Sequence, residues 1–408
     1  MVARSAFRVP RSGFFTRAFG WNPLRRGTRN AERGTVCAVS LLALLSQACD
    51  RGGGRAGAGA NDTLYIAVAA AQGATGQPYI DGAILAIADL NRRRPPGRPP
   101  LGVRLPPVDE PSQVAVATAF RDDPRVVGVV GHTGSAQTLD AAPIYGDVEH
   151  RGRRALVAIT PTATNPAVTA ANPWIFRICP TDDDVARALA RFARDSLGSK
   201  RAEVIYRNDL FGRGFQRVFT AAFSEAGGMV VEKDPYLAGI TEFAAYAARL
   251  PRKGVDLLVI AGGATDARDI ITAVRAAGLT LPVLGTDDLA ALASDSGAAR
   301  GTRGLWYAAF FLPGERRSRL GRVFAAKFEA IHNYEPDHRA ALSYDATTLL
   351  AQAAWATNGD RKAIRAWLSG AGGPGPGNPA YEGVTGPIRF TAERNAEEKR
   401  ILIGRIAP

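Results

Sequence analysis

From Thr63 onward the chain alternates short β-rich runs with amphipathic stretches, and this alternation decides most of what it can fold into. "TLYIAVA" is followed by "YIDGAILAIADLN", then "GVRLPP", a helical stretch near 112–121, and "RVVGVVG". In the second of these, Ile84, Leu85, Ile87, Ala88 and Leu90 fall on one helical face. Strands separated by helices are joined by crossovers, which pair the strands in parallel and place helices over the sheet. The pattern continues with "ALVAIT", a Pro/Thr/Asn turn, and "WIFRICP". "TDDDVARALARFARDSL" then opens with Thr181 as an N-cap and acids in the first turn. A second series runs "AEVIYR", a helix after Gly212, "MVVEKD", a helix near 243–250, "VDLLVI", a helix after Asp266, and "LPVLG". Two α/β units in succession are expected, and 408 residues with 46% hydrophobic content suffice for two lobes. "RRRPPGRPPLG" and "GAGGPGPGNPAYEG" read as surface excursions.

The first 49 residues read as an address and not as fold. The apolar run "VCAVSLLALL" at 36–45 is about half of the roughly 20 residues a membrane-spanning helix needs, and basic residues precede it. "LSQACD" is similar to the box at which bacterial lipoprotein signals are cut before a lipid-bearing cysteine, with Leu45 one place early and Ser46 in its position. Lipidation of Cys49 is expected, with an incidental thiol as the alternative, and 50–61 follow as a flexible tether.

The formal charge of +13 suggests nucleic acid only until its distribution is considered. Eight arginines and one acid precede Val36, and the remainder carries +6, with no basic stripe interleaved with aromatics. No nucleic-acid partner is expected. Only Cys179 lies in the body of the chain, so neither an internal disulfide nor a zinc pattern is available there, and no cofactor or metal is expected. The four histidines are scattered, as core or surface residues would be.

In open parallel sheets ligands sit beyond the carboxyl ends of the strands, where helix N-termini present free N–H groups. Three turns occupy such places: "HTGSAQT", "TPTATNP" and "GTDDLA". Ser135 and Thr164 are placed to donate to an anion such as a carboxylate, and Asp287 and Asp288 to receive a cation, so together the turns describe a zwitterion site. Taken singly, Ser135 serves equally as an N-cap, Thr162 and Thr164 as turn formers, and the aspartates as a solvated cap. The glycines from Gly128 to Gly134 lack the Lys-Ser/Thr of a phosphate loop, and Ser135 has neither a G-x-S-x-G elbow nor an evident histidine. No enzymatic activity is expected.

The order of these pieces resembles the type I periplasmic substrate-binding proteins of the leucine/isoleucine/valine-binding family over essentially all of the chain after Asp62. The matching segments include "AAAQGATGQPYIDGAILAIADLN", "VVGHTGSAQT", "ITPTATNP", "WIFRICPTDDD", "YRNDLFGRGF", "DLLVIAGGATDA", "VLGTDD", "FEAIHNYEPD" and "LSYDATTLLAQA". The resemblance implies an α/β fold of two doubly wound parallel-sheet lobes joined by three hinge crossings, near "FRICPTD", "GTRGLWYAA" and "EEKRILIGRIAP". Residues 62–179 and 306–396 would form lobe 1, and 180–305 and 397–408 lobe 2. It also implies a role for each site residue. Ser135 would bind a ligand carboxylate with Thr164 assisting, Thr162 would offer its carbonyl to the ligand ammonium, and Asp287 would pair with that ammonium. Phe211 and Tyr344 would take aromatic positions lining the cleft. Gly134 replaces a cysteine that forms a disulfide in some members; Thr75 and Ala264 stand where aromatic side chains commonly line the cleft, and Asp287 is shorter than the glutamate of the family's best-known members, which together point to a differently shaped ligand. The function implied is an extracytoplasmic receptor that delivers an amino-acid-like small molecule to ABC permease subunits, held to the membrane through its lipid. A ligand sensor using the same closure without transport is the alternative.

Overall fold

In the computed structural model the described residues are 62–107, 110–240, 242–294, 302, 304–315 and 318–406. Residues 1–61, which hold the expected export segment, Cys49 and the expected tether, lie outside them. In chain order the elements are β1 Leu64–Val68, α1 Gln77–Arg92, β2 Leu101–Arg104, α2 Gln113–Asp122, β3 Val126–Val130, α3 Ser135–Tyr145, β4 Ala158–Thr160, α4 Ala167–Ala170 and β5 Ile175–Arg177. They continue with α5 Asp182–Asp195, β6 Arg201–Arg207, α6 Leu210–Glu225, β7 Met229–Tyr236, α7 Ala244–Arg249, β8 Leu257–Ala261, α8 Ala264–Ala276, β9 Val283–Gly285, α9 Ala291–Ser294 and β10 Leu305–Ala309. The remainder comprises α10 Arg319–His332, α11 His338–Ala356, α12 Arg361–Leu368, β11 Tyr381–Gly383, β12 Gly386–Ile388 and β13 Leu402–Arg405.

Two sheets result. The first has the order β2-β1-β3-β4-β5 and is parallel throughout, with Ile66 beside Gly128 and Val129 beside Ala158. The second has the order β13-β10-β9-β8-β6-β7 and is parallel except for β13, which runs antiparallel to β10. Strands covered on both faces must be apolar along their whole length, and "VVGVV" of β3 and "LLVIA" of β8 are buried at every position. The alternation read from the sequence is thus the signature of two doubly wound lobes.

The chain passes between the lobes three times. After β5 it runs through Ile178–Thr181 into α5, which begins with a complete capping box: the Thr181 hydroxyl accepts from the Asp184 N–H, and the Asp184 carboxylate accepts from the Thr181 N–H. β10 stays in the second sheet to Ala309, beyond the expected boundary at 305, and the chain then returns to pack α11 against α1 and β3. Between β12 and β13 it crosses a third time. One buried hydrophobic cluster runs from Ile66 and Val130 through Phe176, Ile178 and Cys179 to Leu189, Val204 and Phe215, so the first crossing is anchored in a continuous core.

Two glycines fix the approach of strand ends to the site. Gly131, just past β3, has φ of 136°, and a Cβ there would stand 2.7 Å from the Ala69 Cβ. Gly212 lets the first turn of α6 close on the end of β6, since a Cβ would lie 2.0 Å from the Arg207 carbonyl oxygen.

Candidate functional site

On the first lobe, the turns after β3 and β4 are stitched into one surface. The Thr160 hydroxyl donates to the His132 carbonyl at 2.7 Å, and the Thr162 hydroxyl donates to the Thr133 carbonyl at 2.7 Å. Having spent its proton there, Thr162 accepts from the Tyr79 hydroxyl, 2.8 Å away. Ser135 is the first residue of α3, and its hydroxyl oxygen accepts from the Asn165 N–H at 3.2 Å. That bond leaves the Ser135 hydroxyl hydrogen free to donate. Gly134, the N-cap, supplies no capping side chain, so the N–H groups of the first turn of this 11-residue helix are not satisfied by a capping side chain. A carboxylate set against Ser135 meets a hydroxyl donor, free N–H groups and the positive end of a helix.

Thr164 is buried, and its carbonyl accepts from the Asp182 N–H at 2.9 Å and from Arg177 Nη1 at 3.2 Å. Its side chain hydrogen-bonds the Asp182 carboxyl. The anion-side turn is therefore fastened to the first residue past the first crossing. Arg177 is fully buried and also donates to the Asn165 carbonyl at 2.6 Å and the Asn395 side-chain oxygen at 2.6 Å. It holds the turns in place and presents no charge to solvent.

On the second lobe, Asp287 opens a single 3-10 turn, Asp287–Ala290, directly after β9. Its carboxyl is buried and pushed well above the usual carboxylate range, first by burial and then by the neighbouring charges of Asp288 and Asp182. Asp182 is buried too; burial drives its carboxyl up to about 7 against the opposing hydrogen bond from Thr164 and the charge of Arg177. Asp288 meets solvent, yet the surrounding walls still raise its carboxyl, opposed by Arg207 and Arg339. Tyr79 and Arg339 of the first lobe lie within electrostatic reach of Asp288, as does Arg207 of the second, so the two sets of turns face one cleft.

The remaining expected residues divide. Thr75 is exposed, and its carbonyl accepts from Arg339 Nη1 at 3.2 Å, at the cleft edge. Ala264 is the half-buried first residue of α8, beside Gly263, where a Cβ would come 3.5 Å from Arg207 Nη1. Phe211, half-buried in the first turn of α6, has its ring 6.2 Å from that of Phe215. Tyr344 is not brought to the cleft. Two turns into α11, its hydroxyl donates to Asp89 at 3.0 Å and its ring packs on Phe324 at 5.0 Å, within the seam of α1, α10 and α11. Tyr79, Asp182, Arg207 and Arg339 are the cleft residues that sequence reading passed over. Among the described residues no group of three or more His, Cys, Asp or Glu is placed to hold a metal ion, and no helix is long and apolar enough to cross a membrane.

Known proteins match this arrangement along nearly all of the described chain. The family model described as "Periplasmic binding protein" matches residues 66–407. An "Amino acid binding protein" of Pseudomonas aeruginosa is 27% identical over 285 residues, 68% of this chain and 73% of the relative. A "Leu/Ile/Val/Thr-binding protein" of Salmonella typhimurium is 28% identical over 251 residues, 60% of this chain and 67% of the relative. Among solved structures, an ABC transporter substrate-binding protein from Desulfitobacterium hafniense in complex with Leu superposes with a TM-score of 0.71 at 23% identity, covering 84% of this chain and 97% of that one.

Proposed function

We propose that this chain, which belongs to the periplasmic binding protein family, captures an amino acid or a similar small carboxylate between its lobes and hands it to an ABC transporter. One observation carries the reading: an anion-receiving turn with an unspent hydroxyl on one lobe opposes a buried aspartate on the other that has no side-chain partner among the described residues. A zwitterion satisfies both at once. Its carboxylate takes the Ser135 hydroxyl and the N-terminal N–H groups of α3. Its ammonium takes Asp287 and the Thr162 carbonyl, to which no described group donates.

Binding to groups on both lobes favours the closed arrangement by the difference in ligand affinity between open and closed forms. Nothing in this requires a bond to break, in keeping with a family of binding proteins. The names of the two relatives support an amino acid. The small residues Thr75 and Ala264 and the arginines Arg207 and Arg339 shape a pocket of its own, so the particular amino acid is not carried over.

Export by residues 1–49 and anchoring through lipid on Cys49 complete the proposal. The mass of the mature N-terminus checks this, since a diacylated cysteine and a free alanine-processed end differ by the acyl chains. The function itself is tested by a thermal-shift screen of the chain against amino acids, small amides and carboxylates. A ligand at 100 times its Kd adds about 2.7 kcal/mol of stability. A melt moved by a sugar or nucleotide and by no amino acid or carboxylate contradicts the reading.

A further inference from the structure

The charge of the folded body is gathered at one end of the first lobe. Because β1 to β5 run parallel, their starting ends lie on one face, opposite the ends that carry the site turns. The segments that arrive there are 62–63 before β1, 92–100 before β2, 121–125 before β3 and 147–154 on the approach to β4, joined by 358–365 at the start of α12. They carry twelve lysines and arginines against six acids, or +6. All of 62–408, with 41 basic and 36 acidic residues, carries +5, so the rest of the body is close to neutral, at −1.

Hydrogen bonds fasten these segments into one surface. Arg361 donates to the carbonyls of Val126 and Asp123, each at 2.7 Å, of Arg121 at 2.8 Å and of Arg154 at 3.0 Å. Arg98 donates to the Asn358 side-chain oxygen at 2.9 Å, and Arg154 pairs with Asp122 at 3.2 Å. The entering chain belongs to the same surface, since the Leu64 N–H donates to the Pro100 carbonyl at 3.0 Å and the Tyr65 N–H to the Arg125 carbonyl at 2.9 Å. Arg121 and Arg154 are spent on Asp122 and Asp147, and Arg125 on Asp123. Arg93, Arg94, Arg151, Arg153 and Lys362 remain; all are exposed, and among the described residues none pairs with an acid. Of the exposed acids on this face, Asp62, Asp122, Glu149 and Asp360, the second is paired and the last caps α12.

We propose that this pole of the first lobe is a seat for anionic lipid headgroups, on which the protein rests against a bilayer. Unpaired guanidinium groups on separate loops can fork onto phosphates at several points of a broad face, as a layer of headgroups requires. An anionic surface attracts such side chains once they come within a Debye length of about 10 Å. The place of chain entry agrees with this orientation: the residues leading from Cys49, the expected lipid carrier, reach the fold at Asp62, on the same face. A seated lobe holds the site turns away from the bilayer, because they follow the opposite ends of the same strands. Nucleic acid is the other polyanion such a face could meet. The rings here, Tyr65 and Trp174, are half-buried beneath Arg104, Arg125 and Arg365, which does not suit base stacking. The seat is independent of the ligand reading and adds a partner at the far end of the lobe.

The test is sedimentation of the full chain, in low salt, with vesicles of phosphatidylcholine alone or mixed with phosphatidylglycerol. Arg93→Gln, Arg151→Gln and Arg153→Gln together should weaken partitioning onto the anionic vesicles about a hundredfold, from about fivefold for each charge removed. Removing three exposed charges from the second lobe, as Arg217→Gln, Arg252→Gln and Arg268→Gln, should change it by less than about threefold. Residues 1–61 are the same in both triples, so their own affinity for lipid cancels in the comparison. On phosphatidylcholine alone the two triples should bind alike. In the wild-type chain, hydrogen exchange should slow at 92–98 and 147–154 on anionic vesicles and stay unchanged at 287–290. Equal losses in the two triples, a difference that persists on phosphatidylcholine, or protection at 287–290 instead of the pole overturns the seat. So does a short DNA duplex that binds the wild type as tightly as the anionic vesicles do and loses as much in the first triple.

Discussion

The two walls of the cleft are built on opposite principles. On the first lobe the turns are fixed by their own hydrogen bonds, from Thr160 to the His132 carbonyl, from Thr162 to the Thr133 carbonyl, from Tyr79 to Thr162 and from the Asn165 N–H to Ser135, which hold two turns in one shape with the Ser135 hydroxyl hydrogen left to donate. On the second, among the described residues, the Thr286 hydroxyl and, at the crossing, Asp182 Oδ2 are buried without hydrogen-bond partners, and Asp287 has only its own backbone N–H. A satisfied wall recognises by shape and fixed donors at little cost of reorganisation, whereas an unsatisfied wall is a stored desolvation penalty that the right cation relieves. On the proposed reading, that asymmetry is the source of selectivity for a zwitterion. The anion side is prepared in advance, and the cation side stays unfavourable until it is filled.

The largest effect should follow from breaking the unsatisfied wall. Asp287→Asn is expected to cost roughly 3–5 kcal/mol of affinity, as removing one partner of a buried ion pair does. The same change should leave the melting temperature of the unliganded chain unchanged or raised, because it removes a carboxyl that is repelled where it sits. A loss of affinity accompanied by an equal loss of stability would mean that Asp287 supports the fold instead. On the satisfied wall, Ser135→Ala should cost roughly 1.5–3 kcal/mol by titration calorimetry, the value of one hydrogen bond to a charged group.

A pH series sharpens the same contrast. The folded chain holds Asp182 at about 7, above the ordinary carboxylate value of 3.8. A group raised in this way contributes stability that is fully present below its unfolded pKa and is lost as the pH rises through the folded one. The melting temperature of the unliganded chain should therefore decline between about pH 4 and pH 7 by a contribution that Asp182→Asn removes. An unchanged slope in that variant would show that the acid is not raised. Smaller still, Tyr79→Phe removes the donor that steadies Thr162 and should weaken binding by about 1 kcal/mol. Tyr344→Phe should cost about 1 kcal/mol of stability, through the bond lost from Asp89, and nothing in affinity.

Much of the fold could be read from the residues because its signals are local. The buried runs of β3 and β8, the Thr181 cap, and the glycines that bring strand ends into tight turns each announce themselves within a few positions. The placement of Ser135 and Asp287 in turns beyond strand ends was legible for the same reason. What escaped depends on direction and on distant chain. Tyr79 sits in an apolar helical stretch, where periodicity marks a buried face but not the end of it that touches Thr162, 83 residues away. Asp182 reads as an ordinary first-turn acid until its burial and the Thr164, Arg177 and Asp288 side chains around it are seen. Tyr344 shows the converse: a resemblance transfers a position along α11 but not the side of the helix on which the ring lies. The second crossing came out late because β10 is apolar through Ala309 and nothing in its residues says which sheet it joins.

The central claim is that one ligand must satisfy both walls. Comparing leucine with its two halves, 4-methylpentanoate without the ammonium and isoamylamine without the carboxylate, tests it most directly by calorimetry at one pH. The expected result is that leucine binds and each half loses at least about a hundredfold in affinity, matching roughly 3 kcal/mol for a buried charge left unpaired. Either half binding as tightly as leucine would contradict the account, since one wall would then suffice.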